Sequence, residues 1–180
     1  MTNSLKAGFL ASIAVIGTGG TMAEARELRM GLITPPGHVW TQVAERMAEN
    51  LAASDATELT LAVFPAGQLG TEQEMFQQLG TGLLDSGLMT VGISSLRAPS
   101  LAGWFTPYLF DDVSAAAAAA QTEAAQDMLA EFEAAGLVGL GYTFAGMRHI
   151  LMRDGLIDEQ ADLANKKIRI VPFPAMQTWW

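Results

Sequence analysis

The chain has 180 residues, ten Lys and Arg against nineteen Asp and Glu, and a formal net charge of −9 at pH 7. Such an acidic surface is repelled by phosphate backbones, which makes nucleic acid a poor partner. There is no cysteine, so disulfides, thiol nucleophiles and thiolate metal sites are excluded. Residues 1–25 read as a signal peptide. Lys6 is the positive start, Ala7 to Ile16 the apolar stretch, and Ala23-Glu24-Ala25 a small-x-small cleavage site. The apolar stretch is too short to span a bilayer. The mature chain is expected to begin at Arg26 in the periplasm.

The mature part opens with a predicted strand, Leu28 to Ile33, in which Leu28, Met30 and Leu32 alternate. Thr34 to His38 form a turn. A helix follows, its apolar stripe made by Trp40, Val43, Ala44, Met47 and Leu51. A second strand runs from Glu58 to Phe64, and the loop Pro65 to Gly70 leads to a capping box, Thr71 to Glu74. Met75, Phe76 and Leu79 make the inner face of that helix, and Gly80 and Gly82 end it. Gly87 to Ile93 is nearly all apolar, as a strand covered on both faces should be. Alternating strands and helices with short links predict an α/β fold on a parallel sheet. Ligands of such sheets bind beyond the carboxyl ends of the strands. Those ends are Thr34 to His38, Pro65 to Gln68, and Ser94-Ser95, which makes His38, Gln68 and Ser94 candidate contacts.

Ser94 to Phe110 is less regular. Ser114 is expected to cap one long Ala-rich helix to about Ala135, with Gly136 allowing the left-handed turn that ends it. Val138 to Phe144 and His149 to Arg153 read as strands. Asp158 is expected to cap a short helix from Glu159 to Ala164, and Asn165 tolerates a left-handed backbone. Lys166 to Pro172 reads as a strand with Ile168 and Ile170 on one face and Arg169 on the other, stopped by Pro172. Met176 to Trp180 resembles the first turn of a helix.

Charge changes sign late in the chain. No Lys or Arg occurs between Asp111 and Met147, whereas Arg148, Arg153, Lys166, Lys167 and Arg169 crowd the next stretch. A guanidinium held near the end of a strand suits a bidentate grip on a carboxylate. The overall acidity does not forbid this, because the Debye length at physiological salt is only about 8 Å and local arginines outweigh distant acids. No catalytic set emerges. Ser94, His149 and Asp85 lack a nucleophile elbow, and His38 and His149 have no metal-ligand spacing. The glycines Gly17, Gly19 and Gly20 lie in the signal segment, so they form no phosphate loop. The tryptophans are assigned to packing. No cofactor and no metal is expected.

Several stretches share one likeness, in order. Phe64-Pro65-Ala66-Gly67-Gln68-Leu69-Gly70, then Glu72 with Glu74-Met75, then Leu83-Leu84-Asp85-Ser86-Gly87, then Pro107-Tyr108-Leu109-Phe110 are the earlier ones. Gly136-Leu137, Gly146-Met147-Arg148-His149 and Ile157 to Pro172 complete the series. Together, from about Leu28 to Pro172, they resemble the extracytoplasmic solute receptors of tripartite ATP-independent periplasmic (TRAP) transporters, the DctP-type binding proteins. The resemblance implies a periplasmic binding protein-like (type II-like) fold of two α/β domains with a ligand cleft between them. Members are longer, so this chain is expected to be truncated. It would hold the signal peptide (1–25), a first α/β domain with a parallel sheet (26–138), and a crossing strand with the start of the second domain (139–180). The implied function is capture of a small organic acid, possibly a C4-dicarboxylate, and delivery to integral-membrane permease subunits, without catalysis. The resemblance makes Arg169 the carboxylate clamp and Arg148 a second contact. Two alternatives remain: the binding protein of an ATP-driven (ABC) importer, and an exported α/β hydrolase.

Overall fold

The computed structural model describes residues 26–171 and 174–179. The signal peptide with its cleavage site, Pro172 and Trp180 lie outside the described residues. Three parallel strands form one sheet. β1 (Glu27–Leu32) is central, flanked by β2 (Thr60–Phe64) and β3 (Ser86–Leu88). In register, Gly31 lies opposite both Phe64 and Gly87.

Each face of β1 meets a helix. Met30 and Leu32 pack with Ala44 of α1 (Val39–Ala52), backed by Trp40, Leu61, Val63 and Leu88. On the other face Gly31 lies under α2 (Glu72–Thr81). A Cβ at Gly31 would sit 2.6 Å from Met75 Sδ and 3.2 Å from Leu84 Cδ2. The glycine is there because the helix has closed onto the strand. The expected stripe of α1 holds at Trp40, Val43, Ala44 and Leu51, but Met47 is exposed, and Thr41 is buried because the preceding turn needs its hydroxyl.

The capping box is present. Thr71 Oγ1 accepts from the Glu74 N–H, and Glu74 Oε2 accepts from the Thr71 N–H at 2.7 Å. Gly82, in the left-handed region, ends the helix.

β3 is shorter than the sequence predicts. Leu88 is the last residue paired with β1. Two residues later the Glu72 carboxylate accepts from both the backbone N–H and the hydroxyl of Thr90. Thr90 becomes the N-cap of α3 (Val91–Ser94), and the apolar run finishes as a helix.

The Ala-rich region is also corrected. Asp112, not Ser114, is the N-cap, its Oδ1 accepting from the Ala115 N–H at 2.8 Å. α4 (Val113–Ala119) ends ahead of Thr122, whose hydroxyl donates to the Ala119 carbonyl and caps α5 (Glu123–Ala130). A threonine hydroxyl that bonds the backbone locally overrides the helix preference of the alanines around it. A 3-10 turn, Glu131–Ala135, ends on Gly136 with φ 70°. A second core joins Phe76, Ala98, Leu101, Leu129 and Phe132. It seats α2, α3, α5 and the 3-10 turn Pro99–Phe105 against each other.

Beyond Gly136 the predicted strands at 138–144, 149–153 and 166–171 are absent. An extended segment becomes a strand only when a neighbour shares its hydrogen bonds, and among the described residues the one sheet is β2-β1-β3. The short helix expected after Asp158 is a 3-10 turn, Gln160–Leu163, with Glu159 as its N-cap. Asp162 replaces Asp158 as the capping carboxylate, accepting from the N–H groups of Asp158 and Glu159. Asn165 is left-handed, with φ 61°. α6 (Pro174–Trp179) packs on the 3-10 turn Pro99–Phe105, and its Met176 is buried.

Asp85 holds the start of β1 to the start of β3. It accepts from the Arg29 N–H at 2.9 Å and from the Arg26 guanidinium at 2.6 Å. The Arg29 N–H chiefly, and Arg26 after it, hold its pKa below the usual carboxylate range against an opposing effect of burial. A depressed folded-state pKa gives stability that is complete above the unfolded pKa of about 3.9. That stability drains away as pH falls through the lower folded value. The melting temperature is expected to fall below about pH 4, and Asp85→Asn should make this acid limb shallower. A melting series from pH 7 to pH 2 checks it; parallel curves for both proteins would sink the assignment.

Candidate functional site

The loops at the carboxyl ends of β1 and β2 are stitched together by backbone. The Ala66 N–H donates to the Thr34 carbonyl at 2.8 Å, and the Gly67 N–H to the Leu32 carbonyl at 3.0 Å. Beneath them the fully buried Thr41 hydroxyl donates to the Pro35 carbonyl at 2.9 Å. It also lies 2.9 Å from the Thr34 hydroxyl, from which it can accept. A buried hydroxyl with both roles filled stiffens the turn above it.

His38 sits in this turn as the N-cap of α1. Its Nδ1 accepts from the Trp40 N–H at 3.1 Å, so the neutral ring keeps Nε2 as its donor. Gln68 is exposed on the neighbouring loop. Ser94 is different. β3 ends earlier than expected, so Ser94 is the last residue of α3 and is buried. Thr90, not Ser94, stands just beyond the strand end.

The two arginines are placed by other parts of the chain. Residues 139–144 are clamped to α5 and to the 3-10 turn Pro99–Phe105. Gly139 approaches so closely that a Cβ there would lie 2.8 Å from Leu129 Cβ. The Tyr142 hydroxyl donates to the Ala125 carbonyl at 2.6 Å. The rings of Tyr142 and Phe144 tilt against Trp104 at 4.8 and 5.6 Å, and Trp104 stacks on Phe110 at 5.5 Å. Burial pushes the Tyr142 hydroxyl's pKa up, the Trp104 N–H opposes, and the Glu131 charge adds to the rise. After the turn at Gly146, with φ 132°, the chain delivers Arg148. Its guanidinium carbon lies 4.8 Å from the centroid of Phe105, over the ring.

Arg169 is exposed between half-buried Ile168 and Ile170, the alternation expected of that segment even without a ladder. It is near enough to act on Arg148. Desolvation against its surroundings first, and repulsion from Arg169 second, lower the Arg148 pKa. Solvent still reaches much of the Arg148 surface, and an arginine stays charged in either case. Among the described residues the one ion pair is Arg26 with Asp85. Neither Arg148 nor Arg169 therefore has a carboxylate partner there. Lys166, by contrast, acts on Asp162.

The predicted contacts thus fall into two groups, Arg148 with Arg169, and His38 with Gln68 on stitched loops, while Ser94 joins neither. Phe105 is not legible in the sequence, because an aromatic in the irregular Ser94 to Phe110 stretch carries no periodic signal. An open depression of about 480 Å³ lies along α2, lined by Leu69, Glu74, Gln77, Gln78 and others. None of the five predicted residues lines it, and it has no cationic side chain to hold an anion. Among the described residues no group of three or more His, Asp or Glu side chains is arranged to hold a metal.

Residues 30–180 match the model of the family DctP, bacterial extracellular solute-binding protein, family 7. The sialic acid-binding periplasmic protein SiaP of Vibrio cholerae is 30% identical over 101 residues, covering 56% of this chain and 32% of that protein. A TRAP periplasmic solute-binding protein of Bradyrhizobium, solved with galacturonate, is 29% identical with a TM-score of 0.61, covering 65% of this chain and 39% of the other. For the fold alone, a Citrobacter koseri TRAP solute-binding protein superposes with a TM-score of 0.75 at 22% identity, over 84% of this chain and 51% of the other. The chain spans about a third of the length of the curated relatives it matches.

Proposed function

The chain belongs to bacterial extracellular solute-binding protein family 7, and from that premise we propose that it acts as the periplasmic receptor of a TRAP transporter. It captures a small organic acid and delivers it to integral-membrane permease subunits, with no chemical reaction. The observation that carries this reading is the pair Arg148 and Arg169. Two neighbouring guanidinium groups without a carboxylate partner among the described residues form a site in want of an anion. A carboxylate between them removes their repulsion and accepts from a planar fork of donors.

Within this reading Arg169 makes the two-pronged bridge and Arg148 a second contact. His38 and Gln68 offer hydrogen bonds from the stitched loops. Residues 26–138 form the first domain and 139–180 the entry to a second, and the receptor closes on its ligand by a shift between open and closed populations. The acid proposed is a sugar acid rather than a C4-dicarboxylate. The Bradyrhizobium protein holds galacturonate and SiaP is named for sialic acid.

The test is thermal unfolding of the whole mature protein with galacturonate, glucuronate, sialic acid, malate and succinate. A ligand at about a hundred times its dissociation constant stabilises by roughly 2.7 kcal/mol, a shift of several degrees. Such a shift with a sugar acid supports the proposal, and one with succinate alone returns the substrate to the C4 class. A protein that unfolds cooperatively and responds to no carboxylate would refute it.

A further inference from the structure

We propose that Phe105 is a positioning residue for this site: its ring face holds the Arg148 guanidinium beside Arg169 before any acid arrives. The inference rests on the acid-binding reading of the two arginines. Arg169 repels Arg148, and an arginine on the surface has rotamer freedom with which to leave. Arg148 has no hydrogen bond or ion pair among the described residues to prevent this; what it has is the ring of Phe105, 4.8 Å from centroid to guanidinium carbon.

The turn that carries the ring is well supported. Phe105 ends the 3-10 turn Pro99–Phe105, whose Leu101 is buried and whose Trp104 is wedged among Phe110, Tyr142 and Phe144. The Thr106 N–H closes that turn onto the Gly103 carbonyl at 3.0 Å. An aromatic face attracts a cation through its quadrupole. It differs from a carboxylate in one respect that matters here: it restrains the guanidinium without neutralising it. The full positive charge, and the in-plane N–H donors at the guanidinium edge, remain for the ligand. Holding Arg148 in place beforehand also lowers the ordering cost of binding.

The experiment is calorimetric titration of the whole mature protein with D-galacturonate and D-glucuronate. It uses wild type, Phe105→Leu, Phe105→Tyr, Arg148→Gln and the Phe105→Leu/Arg148→Gln double variant. Phe105→Leu is expected to bind about 3- to 30-fold more weakly, and Phe105→Tyr to bind as wild type does. In the Arg148→Gln background the same leucine substitution should have no further effect. A residue that merely packs would weaken binding equally in both backgrounds. Phe105→Met, similar in volume but without a π face, is titrated alongside in case the leucine variant melts early. Unchanged affinity in Phe105→Leu or Phe105→Met, or an undiminished loss in the Arg148→Gln background, overturns the inference. A wild type that binds neither acid nor any other carboxylate overturns instead the reading of the site on which it depends.

Discussion

Arg169→Ala is expected to abolish acid binding by the whole protein without lowering the melting temperature of the unliganded form. Truncating one partner of a desolvated, hydrogen-bonded charge pair costs about 2–5 kcal/mol, which is roughly 30- to 5,000-fold in affinity. The unliganded protein is a separate matter. Arg169 has no ion pair among the described residues and repels Arg148, so its loss removes an unfavourable contact. Arg169→Lys should recover only part of the affinity, since an ammonium keeps the charge and loses the planar fork. Calorimetric titration and melting curves on the same three proteins check both halves. Wild-type affinity in Arg169→Ala would rule out this arginine as the clamp. A large drop in its unliganded melting temperature would mean that the residue serves the fold instead.

The second large effect concerns stability. Leu32 is fully buried at the end of β1, paired with Leu88 and packed with Met30 and Ala44. Leu32→Ala removes three carbons and leaves a void between the sheet and α1. Such truncations cost about 2–5 kcal/mol, against a total that for most domains is about 5–15 kcal/mol. Leu151, 91% exposed, is the internal control, and its replacement by alanine should change stability by less than about 0.5 kcal/mol. Urea unfolding of both variants measures the difference, and equal midpoints would contradict the assignment of the core.

What the sequence makes legible follows the range of the interaction responsible. The Thr71 to Glu74 capping box and the left-handed Gly136 and Asn165 are settled within a few residues, and each is found where its local chemistry predicts. The end of β3 is settled by Glu72, far off in sequence, whose carboxylate draws Thr90 out of the ladder. No periodicity within 87–93 reports that, so the sequence places Ser94 at a strand end when it is the last residue of a helix. The Ala-rich helix breaks for a smaller reason: helix propensity favours one continuous run, but the Thr122 hydroxyl bonds the Ala119 carbonyl within it. At the site, the alternation around Arg169 was readable because it is local. The ring beneath Arg148 was not, since only the folding of 139–148 back over the 3-10 turn brings the two together.

The stitching of the loops after β1 and β2 is made wholly by main-chain groups: the N–H of Ala66 to the carbonyl of Thr34, and that of Gly67 to the carbonyl of Leu32. Apart from the buried Thr41 hydroxyl beneath it and Gly67 at φ 68°, this frame asks little of the side chains it displays. The residues it displays, His38 and Gln68 among them, can drift or be exchanged in the laboratory while their supports hold station, except that proline at 66 or 67 would delete a donor. If the displayed side chains touch the ligand as proposed, its preference can be retuned one side chain at a time with each intermediate still folded. Specificity and architecture are separately heritable at this edge of the sheet.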